Sequence, residues 1–453
     1  MSTMNRREFF AKSAAAAAVV AAGRSTAWPQ ATADVHLEIA PLKLEVAPGK
    51  HVETVAYNGQ VPGPLIRWPE GKPITIDVAN HTDVPEIVHW HGLWIPSDQD
   101  GAMEEGSPMI APGAQHRYSF TPQPSGLRWY HTHTTAGHNL KRGLYSGQFG
   151  CFYIEPKSEP GAFDREVFLT LHDWNAYMGA ASDASMDASY DYATINDRML
   201  GHGTPIQVKS KERVVFRIVN ASATVTHWLS LAGHPMTVVA MDGNPVPKPA
   251  LVSALRLAPA ERADVIVEMN NPGVWIMGET RADLRKAGMG IVIEYAGALG
   301  EPKWVEPTET LWDYAAFAQP SGLAAQPDIR THLTFESKFR GHGDFDYWTI
   351  NGKSYPDTDI IKLYQGARHR LVMFNKSGDP HPVHLHRHTF EVSSLSGKPL
   401  SGLRKDVVVV EPNSIAEIDF VAANPGPTLF HCHQQSHMDF GFMMLFKYAD
   451  LRF

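Results

Sequence analysis

The 453-residue chain carries two cysteines, Cys151 and Cys432, so a disulfide framework could contain one bridge at most. Charge of one sign is also scarce: 40 Lys plus Arg against 48 Asp plus Glu leave a formal net charge of -8, with no long run of either sign. That balance argues against nucleic acid and against a polybasic membrane contact. No apolar run is long enough to cross a bilayer, so stable membrane insertion is not expected. Beyond the N-terminal segment no stretch sustains a helical period, apart from a short one around 312–317. What remains is ample apolar material, 43% hydrophobic against 19% charged residues, which excludes a largely disordered chain. One count stands out, 23 His, and imidazole is a ligand for Zn, Cu, Fe and Ni.

The first 33 residues read as an export signal. Asn5-Arg6-Arg7-Glu8-Phe9-Phe10 is followed by a mildly apolar run over 14–22 and by Ala31-Thr32-Ala33, a small-x-small cleavage site. This pattern fits the twin-arginine route and predicts a periplasmic or extracellular protein.

From residue 34 onward the local signals favour strands. Pro73-Ile74-Thr75-Ile76-Asp77-Val78, Arg213-Val214-Val215-Phe216-Arg217-Ile218-Val219 and Arg368-His369-Arg370-Leu371-Val372-Met373-Phe374 are alternating or β-branched. Each runs into an Asn, at Asn80, Asn220 and Asn375, spaced about one domain apart. Length gives the same prior, about three domains at roughly 150 residues each. The expected class is therefore all-β, with three consecutive sandwich domains at 34–157, 160–300 and 325–453. Pro- and Gly-bearing stretches around 156–160 and 297–320 would serve as linkers.

The chemistry lies in paired histidines. Chance placement would give about one His-x-His pair, whereas the chain has four well-separated ones: His89-Trp90-His91, His131-Thr132-His133, His384-Leu385-His386, which His388 extends, and His431-Cys432-His433. In a strand, residues i and i+2 share a face, roughly 6.6 Å apart, so each pair can aim two imidazoles at one site. Two pairs come from the first domain and two from the last. They could converge only where the two ends of the chain pack together, which suits a metal cluster at a domain interface. Cys432 lies between His431 and His433, so its sulfur would face the other way. Softness selects copper for a thiolate with imidazoles, and a His₂Cys trigonal site is the blue-copper electron-transfer arrangement. His381, three residues before His384, and His437, five after Cys432, are available to complete it. Electrons taken in at the thiolate would have a short covalent path to the cluster.

On these residues the chain resembles a three-domain multicopper oxidase of the laccase type. The matching motifs are His89-Trp90-His91-Gly92 with Asp100-Gly101, Trp129-Tyr130-His131-Thr132-His133, His381-Pro382-Val383-His384-Leu385-His386, and His431-Cys432-His433 with His437. The middle third matches through Ile195-Asn196-Asp197-Arg198, Met241-Asp242-Gly243 and Leu257-Ala258-Pro259-Ala260-Glu261-Arg262. The resemblance implies three cupredoxin-like Greek-key domains and four copper ions. It implies a type 1 copper on His381, Cys432 and His437, and a type 2 copper on His89 and His384. It implies a type 3 pair on His91, His131, His133, His386, His431 and His433. The activity it implies is one-electron oxidation of a small aromatic reductant, a phenol or aromatic amine, coupled to reduction of dioxygen to water. A cuprous oxidase serving copper tolerance is the first alternative, and a non-enzymatic cupredoxin-fold scaffold or copper carrier the second. A copper nitrite reductase would not need four His-x-His pairs. No oligomeric state follows from the sequence.

Three positions depart from the family pattern or bear on its chemistry. Asp100 matches the family's acidic residue near the type 2 and type 3 coppers, and its carboxylate is expected to relay protons or fix bound water. Many bacterial relatives carry Glu directly after the ligand matching His437; here Met438 stands there, followed by Asp439, and whether Asp439 substitutes is left open. At the axial position of the type 1 site Phe442 replaces the usual Met. Phe cannot ligate, so a three-coordinate copper of comparatively high potential is expected unless a bulge brings Met443 round. The 16 Met are scattered rather than gathered in an insert, which favours an organic reductant over Cu(I). Cys151, in an apolar run, reads as a buried small hydrophobe.

Overall fold

Alternation of apolar and polar residues shapes the strand Ile74–Asn80, buried at every second position. Arg213–Asn220 is buried along nearly its whole length, as a central strand covered on both faces. A computed structural model of the chain describes residues 32–158, 162–178, 188–308, 312–319, 325–339 and 346–449. The expected export segment falls almost wholly outside the described residues.

Six sheets follow the chain in pairs, two from each third. In the first third, Lys50–Tyr57, Val35–Ala47, Ile74–Asn80 and Gln115–Phe120 form one four-stranded sheet. Gly63–Pro69, Phe149–Glu155, Gly126–Thr132 and Val88–His91 form the other. Leu37, Ile76 and Val78 of one sheet share a core with Trp90, Tyr130 and Phe152 of the second, so the unit is a sandwich. The middle third stacks a six- and a five-stranded sheet, the last third a seven- and a five-stranded sheet. From Val35 onward all of this packs as one compact unit. Among the described residues no helix is long and apolar enough to cross a membrane.

The weak sequence repeat is a structural one. In each third the strand ending in Asn runs parallel to that third's long opening strand, with Val35 opposite Ile76, Arg165 opposite Val214 and Ile329 opposite His369. Each Asn then closes the same turn. Asn80 Oδ1 accepts from the Thr82 N–H, Asn220 Oδ1 from Ser222 and Asn375 Oδ1 from Ser377, at 2.9, 3.0 and 2.9 Å. Their amides donate across to Ile110, Leu257 and Val410 carbonyls at 2.8, 2.8 and 3.0 Å. An Asn supplies both the acceptor for a local Asx turn and the donors for a buried carbonyl, which explains why this residue recurs at a strand end.

The connecting stretch around 297–320 is partly packed: Tyr314 and Phe317 are buried in a 3-10 turn, inside the short stretch at 312–317 with a helical pattern, and the Tyr314 hydroxyl bonds the Glu261 carboxylate. A short helix, Gln435–Asp439, carries His437, although this run has no helical pattern of its own.

Candidate metal centre

Strands Val88–His91 and Gly126–Thr132 pair antiparallel with His89 opposite His131. Strands His381–Leu385 and Thr428–Cys432 pair antiparallel with His384 opposite His431. Strand alternation accounts in full for one pair, His89 and His91. His133, His386 and His433 each lie one residue beyond a strand end, so their placement is set by the following turn. The eight imidazoles nevertheless converge. The groups His89, His91 and His384; His91, His131 and His433; and His133, His386 and His431 each offer ligand atoms within 4.8 Å of one another. Rings from opposite ends of the chain stack, His89 on His386 at 4.1 Å and His91 on His384 at 3.8 Å between centroids.

The hydrogen bonds of these rings assign one nitrogen outward and one inward. Nδ1–H of His89 donates to the Asp100 carbonyl at 2.8 Å, that of His131 to Thr132 at 2.8 Å and that of His431 to Cys432 at 2.8 Å. His384 Nδ1–H donates to the Asp406 carbonyl at 2.7 Å, and His386 Nδ1–H to Asp100 Oδ2 at 2.8 Å. The inward Nε2 atoms of His89 and His384 are buried without a hydrogen-bond partner, and in His433 both ring nitrogens are. His91 is turned the other way, its Nε2–H on Asp406 Oδ1 at 3.1 Å and its Nδ1 toward His131. Neutral imidazoles with one N–H held by the protein and one lone pair facing a shared space are the donor set of a metal site. Burial, reinforced by neighbouring imidazoles, holds His91, His131, His133, His384, His386 and His433 well below the ordinary histidine range. Burial lowers His431 to about 3. Such rings stay unprotonated and free to bind a cation at neutral pH.

The second group is His381, Cys432 and His437. Cys432 Sγ lies 3.7 Å from His381 Nδ1 and 3.5 Å from His437 Nδ1, and the two nitrogens are 3.1 Å apart. His381 Nε2–H donates to Ser377 Oγ at 2.9 Å, so the turn closed by Asn375 also orients this ring. Burial drives the Cys432 thiol well above its usual range and lowers His437 to about 3. A thiol this reluctant to ionise becomes a thiolate when a soft cation displaces its proton. Trp348 packs on both rings, at 4.6 Å from His381 and 4.1 Å from His437, and Phe442 lies 4.7 Å from His381. Met443 packs with Ala102, Leu429 and Met438, in a different cluster from the one that holds Cys432 and Phe442.

Asp100 is fully buried and touches two ligand candidates, His386 at 2.8 Å and His89 at 3.2 Å. Gly101 after it is obligatory: it has φ +86°, and a Cβ would lie 1.8 Å from the Val88 carbonyl oxygen. Asp439 takes part in neither group. It accepts from the Ala136 and Gly137 N–H at 2.8 and 2.7 Å and from Gln435 Nε2 at 2.7 Å, fastening the loop after His133, and burial pushes its carboxyl up to about 7. Two acids escaped the sequence reading. Glu105, pushed well up by burial and by Asp100, accepts from the Leu429 N–H at 2.6 Å. Asp406 meets His91 and His384. The available signal was a charged pair, Lys405-Asp406, opening a run of four valines, since a charge before a buried strand needs a buried partner. Of the other histidines, His388 bonds the Tyr448 hydroxyl and the His386 carbonyl, and His234 the Tyr295 hydroxyl. Cys151 is buried and free, as expected.

Models of the multicopper oxidase family match residues 38–159, 165–294 and 325–451. Multicopper oxidase MmcO of Mycobacterium tuberculosis is 30% identical over 433 aligned residues, 88% of this chain and 83% of that protein. A copper resistance protein A homolog of Pseudomonas syringae pv. tomato is 23% identical, over 97% of this chain and 98% of its own length. A laccase from Botrytis aclada superposes with a TM-score of 0.76 at 22% identity, covering 91% of this chain and 87% of the laccase, a likeness of fold. With family matches along nearly all of it, the chain belongs to the multicopper oxidases: it is a three-domain, laccase-like oxidoreductase that uses copper and dioxygen.

Proposed function

We propose that the chain is an exported oxidase of phenols or aromatic amines carrying four copper ions. His381, Cys432 and His437 would hold a type 1 copper with Phe442 as non-ligating axial neighbour. His89 and His384 would hold type 2. His91, His131 and His433, with His133, His386 and His431, would hold the type 3 pair. The observation that carries this is the donor inventory: two sets of converging lone pairs, one with a sulfur and one all-imidazole, buried except for the partly exposed His133. They are joined by the backbone on either side of Cys432. Copper in these sets supplies single-electron acceptance at the thiolate and four-electron delivery to dioxygen. The protein's part is to hold the rings in one tautomer, keep Asp100 on His386 and His89, and keep both sets out of water. Of the three thiolate-site residues His437 is the least enclosed, at 3% exposure, and is the natural point of electron entry. The domain limits 34–157, 160–300 and 325–453 are supported by pairing of sheets within each third, and twin-arginine export by Arg6-Arg7 and the apolar run that follows.

A cuprous oxidase is the second reading, favoured by the relative named for copper resistance. Oxygen uptake by the copper-loaded protein, measured with a phenol and with Cu(I) in separate runs, decides between them. Uptake with the phenol is expected; uptake with Cu(I) alone would move the function to the second reading.

A further inference from the structure

The middle domain contributes no histidine to either metal group, yet one of its side chains reaches both of the others. Arg262 is fully buried and uses all five of its N–H donors. Nη1 donates to Asp406 Oδ1 at 2.5 Å and to the Ala260 carbonyl at 3.2 Å. Nη2 donates to Asp406 Oδ2 at 2.6 Å and to the Asp242 carbonyl at 3.2 Å. Nε donates to the carbonyl of Leu127, on the strand that carries His131, at 3.4 Å. The pair with Asp406 is a fork-to-fork one, which fixes the carboxylate plane as well as its position.

Asp406 in turn touches two rings of the all-histidine group. Its Oδ1 accepts from His91 Nε2–H at 3.1 Å and its backbone carbonyl from His384 Nδ1–H at 2.7 Å. Arg128 of the first domain donates to the remaining side of Oδ2 at 3.2 Å. The clamp is tight enough to shape the chain beside it. Gly92, at φ +84°, passes so close that a Cβ there would lie 2.6 Å from Asp406 Oδ2 and 2.8 Å from Arg262 Nη2. His91 is the ring turned with Nδ1 toward its neighbours, and a carboxylate held against Nε2–H is what selects that tautomer.

We propose that Arg262 is a positioning residue for the trinuclear copper site: through Asp406 it fixes the orientation of His91 and His384, so the ligand-free middle domain sets the geometry of a cluster shared by its neighbours. This rests on the copper assignment above. The type 1 group, built wholly from the third domain, lies outside the clamp and serves as an internal control.

The test is a copper titration of the metal-free full chain and of Arg262→Met and Arg262→Lys. The thiolate-to-copper absorption reports type 1, the near-ultraviolet band type 3, and the electron spin resonance spectrum type 2. Arg217→Met is the comparison variant, since this buried arginine pairs with the partly buried Glu166 and the buried Asp264 inside the same middle domain. In Arg262→Met the type 1 band is expected to fill as in the wild type. Type 2 and type 3 signals should need ~10–100-fold more free copper, the usual cost of losing an outer partner of a metal ligand. Arg262→Lys, which keeps the charge but loses the fork, should show the same selective loss to a smaller degree, and it decides the matter should Arg262→Met fail to fold. Arg217→Met should leave both centres alone. Equal weakening of all centres in the Arg262 variants, an equal trinuclear loss in Arg217→Met, or wild-type behaviour of Arg262→Lys would overturn the proposal. A wild type that develops no copper signals would overturn the copper assignment itself and this inference with it.

Discussion

The molecule holds two kinds of buried histidine, whose titration runs in opposite directions. In the middle domain His227 sits between Asp173, 2.9 Å from Nε2, and Glu279, 3.0 Å from Nδ1. Against the cost of its burial, these two carboxylates raise it to about 9, so it is a cation. In the third domain His431 and His437 are also buried, have imidazole neighbours instead of carboxylates, and fall to about 3. Burial alone therefore does not decide what a histidine is for. A ring flanked by acids on both nitrogens has spent both and is a structural ion pair. A ring with one nitrogen on a carbonyl and the other facing more rings has a lone pair to give.

The comparison breaks most visibly at Cys432. Cys432→Ser is expected to abolish the intense visible band and turnover together, while the circular dichroism of the metal-free protein stays that of the wild type; retained turnover would contradict the electron path. Next in size is His227→Gln, which leaves Asp173 and Glu279 without their cation. Removing one partner of a buried pair costs about 3–5 kcal/mol, to be read by denaturant unfolding, with the copper spectra unchanged because the triad lies outside both metal groups.

The two kinds should also separate by pH. His227, raised above its ordinary 6.5, contributes stability that is complete below pH 6.5 and is lost as pH rises through about 9. His431 and His437, depressed below 6.5, contribute in the other sense, since the unfolded chain gains protons that the folded one refuses. The metal-free protein should thus lose stability as pH falls from 6.5 toward 3, by about 1.4 kcal/mol per pH unit for each such ring. Thermal melts of the metal-free protein across pH 4–10 should show both flanks; a flat profile would contradict the contrast. The smallest effect is expected at Phe442→Met, where an added thioether donor favours Cu(II) and lowers the type 1 potential, measured by redox titration of the visible band.

Much of this is legible in the sequence alone. Short periodic patterns encode strands locally, and the recurring Asn marks equivalent turns, so the all-β class and the threefold division followed from neighbours in sequence. The candidate ligands were legible because most of them come in pairs with a short spacing. What was not legible depends on contacts far apart in the chain. Asp406 bonds His91 across 315 positions and Arg262 across 144, and no local pattern announces such partners. Asp439 and Met443, left open by the sequence, are separated by which face of the fold they meet: a loop after His133 for one, an apolar cluster away from Cys432 for the other.

The most direct test of the account is the copper content of the fully loaded wild type beside that of Cys432→Ser, counted per chain and paired with their visible and spin resonance spectra. The account predicts four ions in the wild type, and in the variant the loss of one ion together with the thiolate band while the type 2 and type 3 signals persist. A wild type without the thiolate band, or a variant that keeps it, would contradict the assignment of Cys432 as the ligand on which the chemistry turns.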